Sequence, residues 1–92
     1  MDILEYINTD IKTAPSIDKA LEILDTMCSG YYHTETPVKD HKIIKERFGV
    51  DSVLAEGALV FNVTSEMVSL VENDTLENEL EKIGLDKKRF EI

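Results

Sequence analysis

Apolar residues recur at helical spacing from the start of the chain. Ile3, Ile7 and Ile11, with Leu4 beside them, make one stripe behind a capping Asp2, and Pro15 ends the run. Ser16 caps a second helix with Ile17, Leu21, Leu24 and Cys28 facing inward and Asp18, Glu22 and Asp25 along its other side. Ser29 and Gly30 close that helix, and residues 31–35, with Tyr31, Tyr32 and His33, read as a loop or short extended piece. Thr36 and Pro37 begin a third helix, because Pro at the first helical position forgoes no hydrogen bond that the helix would make. Its inward face is Val38, His41, Ile44 and Phe48, and Gly49 stops it.

Val50 with Asp51, and Val63 with Thr64, each place an apolar residue ahead of a capping side chain. Leu54 and Val68 are positioned to close hydrophobic staples, so helices are expected over 52–62 and 65–72. Residues 58–64 are rich in β-branched and aromatic side chains and also fit a buried strand, since periodicity does not separate the two in so short a run. Asp74 and Glu77 form a capping-box pattern ahead of Leu76, Leu80 and Ile83, which predicts a helix over 75–83 stopped by Gly84. Residues 85–92, with Lys87, Lys88 and Arg89, are a tail that fits one more helical turn or an edge strand. The expected fold is mainly α, a single compact domain over residues 1–92 with about five short helices. The alternative is α+β, with a small antiparallel sheet within residues 53–72 and the C-terminal tail.

Charge changes this picture most. The net charge of −9 disfavours direct binding to nucleic acid, whose phosphates attract Lys and Arg, and favours cationic partners. Ninety-two residues bury a modest core, so a homodimer or a partner would add stability. A lone Cys28 forms no internal disulfide, and Met1-Asp2 opens no basic and apolar leader. The charge-free run 57–65 is far short of the ~20 apolar residues that span a bilayer. A cytoplasmic protein is therefore expected, with no membrane contact.

The charge is also unevenly laid out. Residues 37–47 and 82–92 each carry a net charge of +2, whereas residues 48–81 carry eight acids and no Lys or Arg. Asp18 with Glu22, and Glu77 with Glu81, are like-charged pairs four residues apart, which an isolated helix disfavours by a few tenths of a kcal/mol each. An acidic chain produces some such pairs by chance; the functional alternative is a surface made to meet Lys and Arg. Its residues would be Asp18, Glu22, Asp25, Glu72, Asp74, Glu77, Glu79 and Glu81. Duplex DNA carries a charge about every 1.7 Å, whereas the five acids from Glu72 to Glu81 would spread over about 15 Å of helix. A phosphate-like array therefore needs acids from the first two helices on the same face, or a symmetric dimer.

Size and charge layout together resemble the class of small acidic proteins, often phage-encoded, that imitate DNA to block restriction, nuclease or transcription machinery. The resemblance implies a non-enzymatic inhibitor seated in the basic cleft of a nuclease, restriction enzyme or transcription factor, in the host cytoplasm if phage-encoded. A second reading comes from the segments 39–48 and 52–62 joined at Gly49, which have the outline of a helix-turn-helix. The second segment carries acids and no cation, so that pair suits an adaptor or assembly subunit better than a DNA reader. Tyr31, Tyr32 and His33 would be its contact loop, since tyrosines combine large contact area with a polar tip, although such rings also commonly cover a core.

Signals for chemistry are weak. Cys28, His33 and Asp40 contain the residue types of a thiol nucleophile, base and orienting acid, but Cys28 lies on an apolar stripe where an inert buried thiol is the usual outcome. His41 lies among Val38, Ile44 and Phe48, as a core-edge histidine does. The Cys and His spacing matches no closed zinc site, no calcium loop follows Asp51, and no Gly-rich phosphate loop is present. No catalytic residue, metal or cofactor is expected.

Overall fold

The structure, a computed structural model, describes residues 29–92. The two helices expected before Ser29 lie outside the described residues, and with them Asp18, Glu22, Asp25 and Cys28. The described elements are β1 (Ser29–His33), α1 (Pro37–Phe48), β2 (Ser52–Ala55), β3 (Ala58–Asn62), α2 (Ser65–Glu72), α3 (Leu76–Lys82), a 3-10 turn (Lys87–Arg89) and β4 (Phe90–Glu91). The strands form one four-stranded sheet in the order β2-β3-β1-β4, with every neighbouring pair antiparallel. The fold is therefore α+β, which corrects the mainly α expectation.

The largest departure is over residues 52–62, a β-hairpin where a helix was expected. Ala55 pairs with Ala58, Leu54 with Leu59 and Val53 with Val60, leaving Glu56 and Gly57 as a two-residue turn. Both turn residues have positive φ, 51° and 81°, the backbone shape whose twist matches that of the two strands it joins. With this segment a hairpin, the helix-turn-helix outline disappears, and so does the staple assigned to Leu54.

The alternative sheet reading, residues 53–72 and the C-terminal tail, spans β2, β3 and β4 but takes in helix α2 as well and leaves out one of the two central positions of the sheet. That position belongs to β1, in the segment expected to be a loop, paired with β3 on one side and β4 on the other. Its alternation explains the placement. Gly30 and Tyr32 share a face with Ser52, Leu54, Leu59, Phe61 and Phe90, whereas Tyr31 and His33 point the other way. Gly30 is required because the Phe61 ring lies directly over it, and a methyl group there would overlap the ring.

Helix α1 follows the sequence closely. Pro37 stands in its first turn, and Gly49 ends it in the left-handed conformation, φ 73°, with its N–H donating to the Lys45 carbonyl at 2.8 Å. Its buried residues are Asp40, His41, Ile44 and Phe48, while Val38, expected inward, is exposed. The Thr34 and Thr36 hydroxyls donate to the Asp40 carboxylate, which fixes the start of the helix against the end of β1. The helix packs on the Gly30 and Tyr32 face of the sheet: the Phe48 ring lies 6.2 Å from that of Phe90, and His41 Nδ1 and Ser52 Oγ share a buried 2.8 Å hydrogen bond.

Helix α2 has the expected bounds, and the Thr64 side chain caps it by accepting from the Met67 N–H at 3.1 Å. Met67, rather than the expected Val68, is its buried anchor. The capping box expected from Asp74 does not form: Asp74 takes a left-handed φ of 57°, and Thr75 occupies the cap position of α3 without a side-chain cap bond. A single side chain, Leu80, anchors α3 in the core. Phe90 closes the core from β4, with Phe61, Tyr32 and Phe48 ring centroids 5.4, 6.2 and 6.2 Å away. No described helix is long and apolar enough to cross a membrane.

Candidate functional site

Among the described residues, an open groove lies between α2, α3 and β4. Leu70 and Val71 of α2, Leu76 and Leu80 of α3, and Phe90 of β4 line a groove of about 540 Å³, with Asp74, Glu77 and Lys87 at its edge. Its floor is core: Leu80 and Phe90 are buried. Its α2 wall is open, since Val71 is 47% exposed; Val68, 40% exposed, lies one turn earlier on α2 and outside the lining. Leu70 and Leu76 are partly buried against the core, so Val68 and Val71 are the apolar side chains that these short helices leave outside.

Three helices are tied together by one guanidinium. Arg47 at the end of α1 reaches Glu66 of α2 at 2.5 Å and Glu79 of α3 at 3.0 Å, and lies 4.9 Å from the centroid of its neighbour's ring, Phe48. The hydrogen bonds from Arg47 hold the Glu79 carboxylate below its ordinary pKa, and Lys82 adds to this from 3.5 Å. The Arg47 pKa rises in return, through Glu66 first and Glu79 second. Sequence reading placed Glu79 on an outward acidic wall; the structure gives it a mainly internal partner and leaves it only 23% exposed.

The other acids stand differently. Glu77 and Glu81 share Lys87, at 3.5 and 3.3 Å, and remain 72% and 59% exposed. Glu72, the last residue of α2, and Asp74, on the connection to α3, are exposed. The structure thus sets Asp74 and Glu77 at the groove, joins Glu81 to it through Lys87, leaves Glu72 outside the lining and assigns Glu79 to the scaffold. The three acids expected from the second helix lie outside the described residues.

The residues expected as a contact loop are a strand. Tyr32 is in the core, 3% exposed, and its hydroxyl accepts from the Asp86 N–H at 3.0 Å, so it serves to dock the segment after α3 onto β1. Burial raises its pKa, opposed by the bond from Asp86. Tyr31 is half-buried, and His33 is exposed with Nε2 3.8 Å from a Glu91 carboxylate oxygen.

His41 and Ser52 contain the elements of a base and a hydroxyl nucleophile at bonding distance. His41 is 7% exposed and Ser52 wholly buried, and the two bond to each other inside the fold. Desolvation lowers the His41 pKa, and the nearby Asp51 and Lys45 act in opposite directions on it. Among the described residues no three Cys, His, Asp or Glu side chains cluster as metal ligands.

Sequence reading missed the groove as a unit, although it singled out its acids. The available signal was the density of apolar residues at 67, 68, 70 and 71, more than one inward stripe of an eight-residue helix can bury. Comparison of the chain with protein-family models, with curated proteins and with solved structures returns no match to any of them.

Proposed function

We propose that this protein acts by binding a cationic protein partner, of the kind that grips nucleic acid, and that the α2–α3 wall makes the contact. The observation that carries this reading is the groove itself: exposed apolar side chains on α2 stand beside Asp74 and Glu77 in a stretch, residues 65–81, that has six acids and no Lys or Arg. Carboxylates in such a setting attract a basic surface over several ångströms, and the apolar floor rewards a side chain that enters it. The partner would lose its hold on nucleic acid while bound, as an inhibitor requires.

The test is capture of partners from a lysate of the source cells on the immobilised protein. Proteins specific to this surface are released by duplex DNA and by raising salt from about 0.05 to about 0.2 M, because the contact replaces phosphates with carboxylates. The second reading, an adaptor that docks through apolar contact, is favoured by the exposure of Val68 and Val71. Capture indifferent to both DNA and salt would establish the adaptor and reject the inhibitor.

A further inference from the structure

The groove already holds a cation of its own. The Lys87 ammonium, at the end of a flexible apolar stem, lies between the Glu77 and Glu81 carboxylates at the groove edge. Lys87 comes from the 3-10 turn before β4 rather than from either helix of the groove, so it reaches in from outside the α2–α3 pair. Both carboxylates stay more than half exposed, which leaves them open to a second cation on the solvent side.

We propose that Lys87 is a resident stand-in for a partner's Lys or Arg, and that the groove receives a basic amphipathic helix whose apolar residue enters beside Val71 while its cation displaces Lys87 from Glu77 and Glu81. This rests on the cationic-partner reading and names the element of the partner that binds. Charge complementarity selects the occupant, since an acidic or neutral helix would set its polar face against Asp74, Glu77 and Glu81 without compensation. Helical spacing suits the site as well: an apolar residue and a Lys three or four positions apart project from the same side, about 5–6 Å from each other. Lys87 then acts as a weak internal competitor that raises the threshold for binding.

The probe is a synthetic helix of Leu and Lys with its leucines on one face, compared with a version carrying Glu for Lys. Affinity is read by fluorescence anisotropy, and location by amide chemical shifts of the labelled protein. The Leu/Lys helix is expected to bind with shifts centred on Leu70, Val71, Leu76 and Lys87, and the Leu/Glu helix not to bind. Lys87→Ala tightens binding about two- to fivefold, the range of an exposed ion pair. Lys88→Ala, which changes net charge equally from outside the groove, has a smaller effect. Val71→Ser, at an exposed position where the fold tolerates change, weakens binding by about fivefold or more.

Binding with Lys87→Ala and Lys88→Ala equal in effect, or with shifts away from α2 and α3, would overturn the stand-in while leaving a cationic partner in place. Failure of the Leu/Lys helix to bind at low salt would overturn both.

Discussion

The β2–β3 hairpin and the α2–α3 pair lie next to each other in sequence and are built on opposite plans. In the hairpin, every residue of Ser52–Ala55 and of Ala58–Phe61 is buried, on both faces of the strands, with no charged side chain inside either strand. Each of the two helices buries one side chain fully, Met67 or Leu80, and turns a dense set of carboxylates outward. The first region supplies seven of the fourteen buried apolar residues of the described core. The second is held by two fully buried anchors, by the partly buried Leu70 and Leu76 and by a guanidinium, and its apolar residues at 68 and 71 face solvent. Stability does not explain those two valines; the proposed partner would.

The contrast is broken most forcefully from the hairpin side. Phe61→Ala removes a fully buried ring from beneath Phe90 and is expected to destabilise by ~3–5 kcal/mol, read from urea unfolding. A result close to zero would mean that the strands are not the core. Next is Gly30→Ala, whose methyl group meets the Phe61 ring and should cost about 1–3 kcal/mol as overpacking. Combining it with Phe61→Leu should cost less than the two changes summed, because the overlap is then relieved; strict additivity would show that the close approach is not the cause.

The helix side should respond differently. Arg47→Met removes the link to Glu66 and Glu79, and is expected to lower the urea midpoint less than either change above. Its signature is local: amide exchange in α2 and α3 should accelerate while β1 and β3 stay protected. Uniform acceleration would make Arg47 part of the global core instead.

A smaller effect is expected at His41. Burial places its folded pKa below the ordinary 6.5, so the unfolded chain binds that proton more readily than the folded one. Its contribution to stability is therefore intact above about pH 6.5 and declines as pH falls through that value towards the folded pKa. His41→Gln should flatten the change in urea midpoint between about pH 7.5 and about pH 5.5. An unaltered pH profile would locate the titrating group elsewhere.

How far these regions were legible differs for physical reasons. Helices α1 and α2 were readable because Pro37, Gly49 and Thr64 make local backbone interactions that a sequence displays directly. The hairpin was not, because its turn is Glu56-Gly57: a Glu in the left-handed region lacks the Asn-Gly or Asp-Gly signature that marks such turns. Strand β1 was hidden by Gly30, which lowers strand propensity yet is required by a ring thirty-one positions away, at Phe61. Local pattern carries no trace of that contact.

The acids were legible as composition but not as roles. Nothing local distinguishes Glu79 from Glu77 and Glu81; what separates them is Arg47, which reaches Glu79 from the end of α1, thirty-two positions earlier in the chain. The groove was missed for the same reason, since Phe90 reaches it only through the pairing of β4 with β1.

The most direct test of the division between a folding hairpin and a binding helix pair is the double charge reversal Glu77→Lys with Glu81→Lys, scored at once for urea midpoint and for capture of the salt- and DNA-sensitive partner. Because both side chains are mostly exposed, the midpoint should scarcely move while capture is lost. Full capture by the reversed protein would contradict the account.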